Sequence, residues 1–175
     1  MKHTWAIPFL VLIIAICALA QPETPKPGPE HKKLDYFVGS WTSLGSAKPG
    51  PMGPGGAVTI QEENKWMDGG FFVVIHETIT GATGNGSGLA FLGYDPNDKV
   101  YTYDEFNSFG EATHAKGTVE GDTWTWLSDL KAGPQTMKGR FTMKIVSPTV
   151  YNYSFEMSTD GKTWTLILDG KDTKK

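Results

Sequence analysis

The chain has a single cysteine, Cys17, and it lies among the first twenty residues. With those residues removed as a leader, what remains offers no disulfide, no thiolate nucleophile and no cysteine-ligated zinc site. The histidines beyond the leader, His31, His76 and His114, show no close His/His spacing, so no metal is expected. No block of lysine and arginine occurs, and at a net charge of −3 nucleic acid is not an expected partner. Extended helical periodicity is missing as well, which leaves strands and turns to make the fold.

What is present begins with an export pattern. Lys2 and His3 precede an apolar run from Trp5 to Ala18, and Ala18-Leu19-Ala20 suits cleavage before Gln21. The run is too short to favour a permanent membrane span. Ile16 is larger than an acylation site at Cys17 wants, so a periplasmic or secreted protein is expected rather than a lipoprotein. Residues 21–33 carry prolines at 22, 25, 27 and 29 and read as an extended linker. Leu34, Phe37 and Val38 then fall at i, i+3 and i+4 before Gly39, the pattern of one short helical turn able to plug a barrel. The domain proper is read as 34–172.

From Ser40 onward, runs rich in aromatic and β-branched residues alternate with turn sequences. Pro96 suits a type I turn, and Gly121 suits the positive φ of a two-residue hairpin. A two-residue turn at Met67-Asp68-Gly69-Gly70 puts Glu62 and Trp66 on one face with Ile75 and Glu77 and turns His76 outward, the favoured register for its apolar face; a three-residue turn would bring His76 inward instead. Pairing Glu120 with Thr123 puts Trp124 and Trp126 inside, and four-residue turns earlier in the meander add Leu89, Phe91, Val100, Thr102 and Asp104, with Tyr101 and Tyr103 outside. In the last three strands Phe141, Met143, Tyr151, Tyr153, Phe155, Leu166 and Leu168 share an apolar face, and Lys138, Arg140 and Lys144 lie opposite. These expectations sum to an all-β fold, an antiparallel up-and-down barrel of about ten strands, wide enough for a small cavity.

Six stretches together resemble one family: Leu34 to Trp41, Pro51 to Gly56, Trp66 to Phe72, Gly93-Tyr94-Asp95, Phe106 to Gly110, and Ser158 to Trp164. The chain is similar to the exported bacterial family called domain of unknown function 1579, with a calycin-like or nitrobindin-like barrel. The resemblance implies the fold and export but no activity; as a class, calycin-like barrels often bind small apolar molecules. Nitrobindin-like barrels hold haem through a late histidine, which this chain lacks, so no cofactor is expected.

The candidate wall of an interior site is Glu62, Trp66, Ile75, Glu77, Asp104, Trp124, Trp126, Phe141, Met143, Tyr151, Tyr153, Phe155, Leu166 and Leu168. The buried tyrosines would supply polar contacts to a small, largely apolar ligand. A second reading is a glycoside-type hydrolase using Glu62 and Glu77, set diagonally about 7–8 Å apart, with Asp104 joining them. A third is a structural domain with a filled core. The glycines at 81, 84, 86 and 88 lead into a strand, not a helix, which argues against a phosphate loop. Ser158 to Trp164 is one residue short of a sialidase Asp-box and is explained as a turn.

Overall fold

Each strand pairs with its sequence neighbour, as the alternating stretches and turn sequences imply. The computed structural model describes residues 24–50, 53–132 and 135–175. The proposed leader, its cleavage site and the start of the linker lie outside the described residues, as do Pro51 and Met52 of the proline-glycine loop. The strands are β1 (Gly39–Ala47), β2 (Gly56–Trp66), β3 (Phe72–Gly81), β4 (Gly86–Asp95), β5 (Val100–Asn107), β6 (Ala112–Glu120), β7 (Thr123–Ala132), β8 (Gln135–Ser147), β9 (Val150–Ser158) and β10 (Thr165–Lys174). Strand β1 pairs with both β2 and β10, which closes an all-β, ten-stranded antiparallel barrel and leaves no free edge. Among the described residues no helix is long and apolar enough to cross a membrane.

One end of the barrel is plugged by helix α1 (Pro29–Lys33) and a 3-10 turn (Leu34–Phe37). The helix starts inside the stretch read as linker. Pro29 suits a first helical position, the Gly28 N–H donates to Nδ1 of His31 at 3.1 Å, and buried His31 sits edge-on to Phe71 and Tyr94. Leu34 and Phe37 are closed to solvent, and the Phe37 ring packs edge-on against Trp124 at 5.0 Å. The Phe37 carbonyl accepts from Trp41 Nε1 at 2.8 Å and from Asn64 Nδ2 at 3.1 Å, which fixes the plug to β1 and β2.

Strand registers bear out most of the expected faces and correct two. Trp66 pairs with Val73, and Phe141, Met143 and Ile145 pair with Phe155, Tyr153 and Tyr151. Strands β4 and β5, however, show the opposite parity. The loop between paired Phe106 and Ala112 runs from Asn107 to Glu111, one residue longer than expected, held by the Asn107 side chain accepting from the N–H groups of Phe109 and Glu111. That single residue turns Ala90, Leu92, Tyr101, Tyr103 and Glu105 inward and sends Asp104 outward, where it meets His114 at 2.6 Å. The second correction is in β10. An irregularity between Leu166 and Leu168 leaves Leu166 opposite Glu156, on the outer face where Arg140 pairs with Glu156, while Leu168 stays inside opposite Phe155.

Tyr153 lies flat along the inner wall, its hydroxyl accepting from Ser43 Oγ at 2.9 Å and its ring stacked on Phe141. The position is open because β1 and β10 both have glycine beneath it: a Cβ on Gly45 would lie 2.2 Å, and one on Gly170 2.5 Å, from the Tyr153 hydroxyl. Gly45→Ala should therefore destabilise the barrel by about 1–3 kcal/mol. Adding Tyr153→Phe should recover part of that loss in a denaturant-unfolding double-mutant cycle; purely additive losses would show that the hydroxyl is not the obstacle.

Candidate functional site

The inward side chains divide at mid-barrel. On the plugged side Asn64, Ile75, Ala90, Leu92, Tyr101, Trp124, Met143, Tyr151 and Asp172 are buried, and the rings of Tyr36, Phe37, Trp41 and Tyr151 fill the space between strands. Beyond that floor, at Glu62, Glu77, Tyr103, Glu105, Phe141, Phe155 and Leu168, every side chain keeps part of its surface accessible although it points into the barrel. This second end, here called the funnel, also holds the buried side chains of Val58 and Ile79. A cavity of about 90 Å³ lies in its mouth, with Ala47, Gly55, Ala82, Thr83, Phe155 and Leu168 among its lining.

Acidic groups meet at the bottom of the funnel. Glu62 and Glu77 are direct cross-strand partners, not the diagonal pair expected from sequence. Tyr103, from β5, donates its hydroxyl toward Glu105 Oε2 at 3.1 Å and lies 3.4 Å from Glu77 Oε1. Asn64 Nδ2 donates to Glu62 Oε2 at 2.9 Å, and Asp172 faces Ser43 and Tyr151 across β1 and β9. Burial pushes Glu77 up to about 8, helped by the charges of Glu105 and Glu62 and opposed by the Tyr103 hydrogen bond. Burial raises Asp172 to about 7, with Glu62 adding to it, and burial also raises Glu62 despite the Asn64 hydrogen bond. The Asn64 Oδ1 and Asp172 Oδ1 atoms are buried with no hydrogen-bond donor. Chemically, the belt can hold protons or accept from a ligand rich in donors; among the described residues no group of three or more His, Cys, Asp or Glu is arranged to hold a metal ion.

The family described as Protein of unknown function (DUF1579) matches residues 26–174. The chain belongs to this family. Among solved structures, this DUF1579 barrel is similar to Rv2717c from M. tuberculosis, with TM-score 0.58 and 13% identity, over 85% of this chain and 98% of that one. It is also similar to the S-type phycobiliprotein lyase CPES from Guillardia theta, with TM-score 0.54 and 11% identity, over 83% and 92% of the two chains. Both likenesses are of fold alone. No curated protein matches the sequence.

Of the residues expected to line an interior site in this DUF1579 member, Glu62, Glu77, Phe141, Phe155 and Leu168 face the funnel. Trp126 and Tyr153 form part of its floor. Trp66, Ile75, Trp124, Met143 and Tyr151 belong to the packed half, where Trp66 Nε1 donates to Asp35 at 2.7 Å. Asp104 and Leu166 are outside, so a Glu62, Glu77 and Asp104 set is not assembled. Sequence reasoning missed Tyr103 and Glu105 through the one-residue slip. It also missed Asp172, although Leu168, Gly170 and Asp172 fall at alternate positions and so mark it as inward.

These shifts fix a pH dependence. An acid whose folded pKa is raised favours folding fully below its unfolded pKa, and that contribution is lost as pH rises to the folded value. Stability should thus fall from about pH 4.5 to about pH 8 as Glu77 and Asp172 ionise more readily in the unfolded chain. Asp160, pulled down to about 2 chiefly by the N–H groups of Thr163 and Lys162, acts below this window. Glu77→Gln should flatten the slope and raise Tm at pH 8; thermal unfolding from pH 4 to 9 checks this, and a Tm that rises across the window would contradict it.

Proposed function

We propose that this barrel is a small-molecule binding protein that takes its ligand through the open end. The ligand's apolar part lies along Phe141, Phe155 and Leu168, and its polar end reaches the carboxylates of Glu62, Glu77 and Glu105. The observation that carries this reading is the contrast within the interior, with packed rings beneath the plug and the partly accessible inward side chains of Glu62, Glu77, Glu105, Phe141, Phe155 and Leu168 beyond them. A structural domain with a filled core has no reason to leave buried carboxylates against accessible space, since desolvating them costs stability. A barrel of this shape also serves a phycobiliprotein lyase, which supports the fold as a container and no more. The apolar run from Trp5 to Ala18 and the Ala18-Leu19-Ala20 site support a periplasmic or secreted setting for this binding.

The test uses the neutral fluorophore N-phenyl-1-naphthylamine, with the tryptophans of the barrel as energy donors. Binding should saturate at one probe per chain, and Ala47→Trp, which fills the mouth cavity, should weaken it at least about tenfold while Tm stays close to that of the parent protein. Absence of saturable binding, or equal binding by Ala47→Trp, would sink the proposal.

A further inference from the structure

The carboxyl groups of the funnel have no basic partner among the described residues. Among the described residues, no lysine, arginine or histidine acts on Glu62, Glu77 or Asp172; the charged groups that do are Glu105, Glu62 and Asp172 themselves. Basic side chains near the two ends are engaged elsewhere. Lys48 at the mouth pairs with Asp169 at 2.6 Å, and Lys174 at the plugged end donates to the Tyr36 carbonyl at 3.2 Å and lies over the Trp41 ring. Lys138 and Arg140 are paired on the outer face with Asp129 and Glu156.

A second, independent observation concerns hydrogen bonding. Asn64 is 2% exposed, its amide lies against the Glu62 carboxylate, and its Oδ1 has no donor; Oδ1 of Asp172, also 2% exposed, has none either, although the hydroxyls of Tyr151 and Ser43 bond to the Asp172 carboxyl. Buried acceptors of this kind are ordinarily satisfied, so their orphaning at the edge of an acidic belt marks the place of missing donors. The surrounding surface is aromatic. The Tyr103 and Trp126 rings lie 6.1 Å apart and Phe141, partly accessible, stacks with Tyr153, so the rings lie where a bound cation would meet their π electrons.

Resting on the interior-binding reading above, we propose that the barrel selects organic cations: a protonated amine whose N–H groups sit among Glu62, Glu77 and Glu105, and whose hydrocarbon part runs along Phe141, Phe155 and Leu168 toward the mouth. An ammonium supplies charge and several donors together, which an alcohol or a neutral apolar molecule does not. The apolar wall selects an organic cation over a bare ion. The groups facing Glu77 are Glu62 from β2, Gly88 from β4, Tyr103 and Glu105 from β5, and Asp172 from β10. None is cationic, so a bound ammonium stabilises the ionised form of Glu77 and its binding releases a proton near neutral pH.

The test compares three probes of similar shape by titration calorimetry at pH 8: 2-phenylethylamine, 2-phenylethanol and 3-phenylpropionate. The amine should bind at least about tenfold more tightly than the alcohol, with no binding of the acid. Its apparent enthalpy at pH 7 should change with the ionisation enthalpy of the buffer. Glu62→Gln and Glu77→Gln should each remove most of the preference for the amine, while Asp104→Asn on the outer face should leave it intact. Equal affinity for amine and alcohol, or unchanged amine binding by both Gln variants with Tm no lower than that of the parent protein, would overturn the cation proposal. If N-phenyl-1-naphthylamine binds and the amine does not, the cation proposal fails and interior binding stands. If neither binds, both fail.

Discussion

The hydrogen bonds that β1 makes on both sides, to β2 and to β10, are what the rest of the structure depends on. They convert a meander into a closed wall, and closure removes every edge at which another chain could add a strand. Closure also makes inside and outside absolute. On a closed wall with side chains alternating at period two, each residue is committed to the core or to solvent by its register, and a local irregularity has consequences for a whole strand. The five residues from Asn107 to Glu111 and the irregularity before Leu168 are the two places where this chain uses that freedom.

The two halves of the interior solve different problems. Near α1 the space is filled by Leu34, Phe37, Trp41, Trp124 and Tyr151, and the backbone and side chains of the plug are tied into the wall through Phe37, Trp66 with Asp35, and Tyr36 with the Ser147 carbonyl. That half supplies the apolar burial on which folding rests. The other half gives some of it up: glycines at 45 and 170 thin the wall beside Tyr153, and carboxylates take positions where apolar side chains would pack. The aromatic packing of the plugged end thus gives way to partly accessible carboxyl groups at the open end.

The acidic belt changes the kind of ligand that the fold alone would suggest. A calycin-like barrel leads to an expectation of a largely apolar guest, and Phe141, Phe155 and Leu168 still offer an apolar wall. Glu62, Glu77 and Glu105 add acceptors at the depth where a guest would end, and Tyr103 links the last two. The outer face shows the contrasting use of charge. There Asp129 with Lys138 and Asp98 with Lys116 are exposed ion pairs, screened by water and worth little to stability. Inside, the like charges have no such partners.

The sequence by itself determined the strands, their order and most of their faces, because these follow from local patterns: alternation in Gly139 to Tyr153, Gly121 at the tip of the β6–β7 hairpin, and the plug motif Leu34 to Phe37. It turned Glu62, Glu77, Phe141, Phe155 and Leu168 inward, as the strand registers do. Parity could not be carried across the Asn107 to Glu111 loop, since its length is set by side-chain hydrogen bonds that do not show in a hydrophobic pattern. For that reason Tyr103 and Glu105 read as outward and Asp104 as inward. Only the tertiary structure decided that carboxylates from β2, β3, β5 and β10 share one space, because those strands meet across the lumen of a closed barrel and nowhere along the chain. It also decided which aromatic residues are core and which are wall: Trp124 and Phe141 look alike in sequence, but one lies beneath the plug and the other beyond its reach.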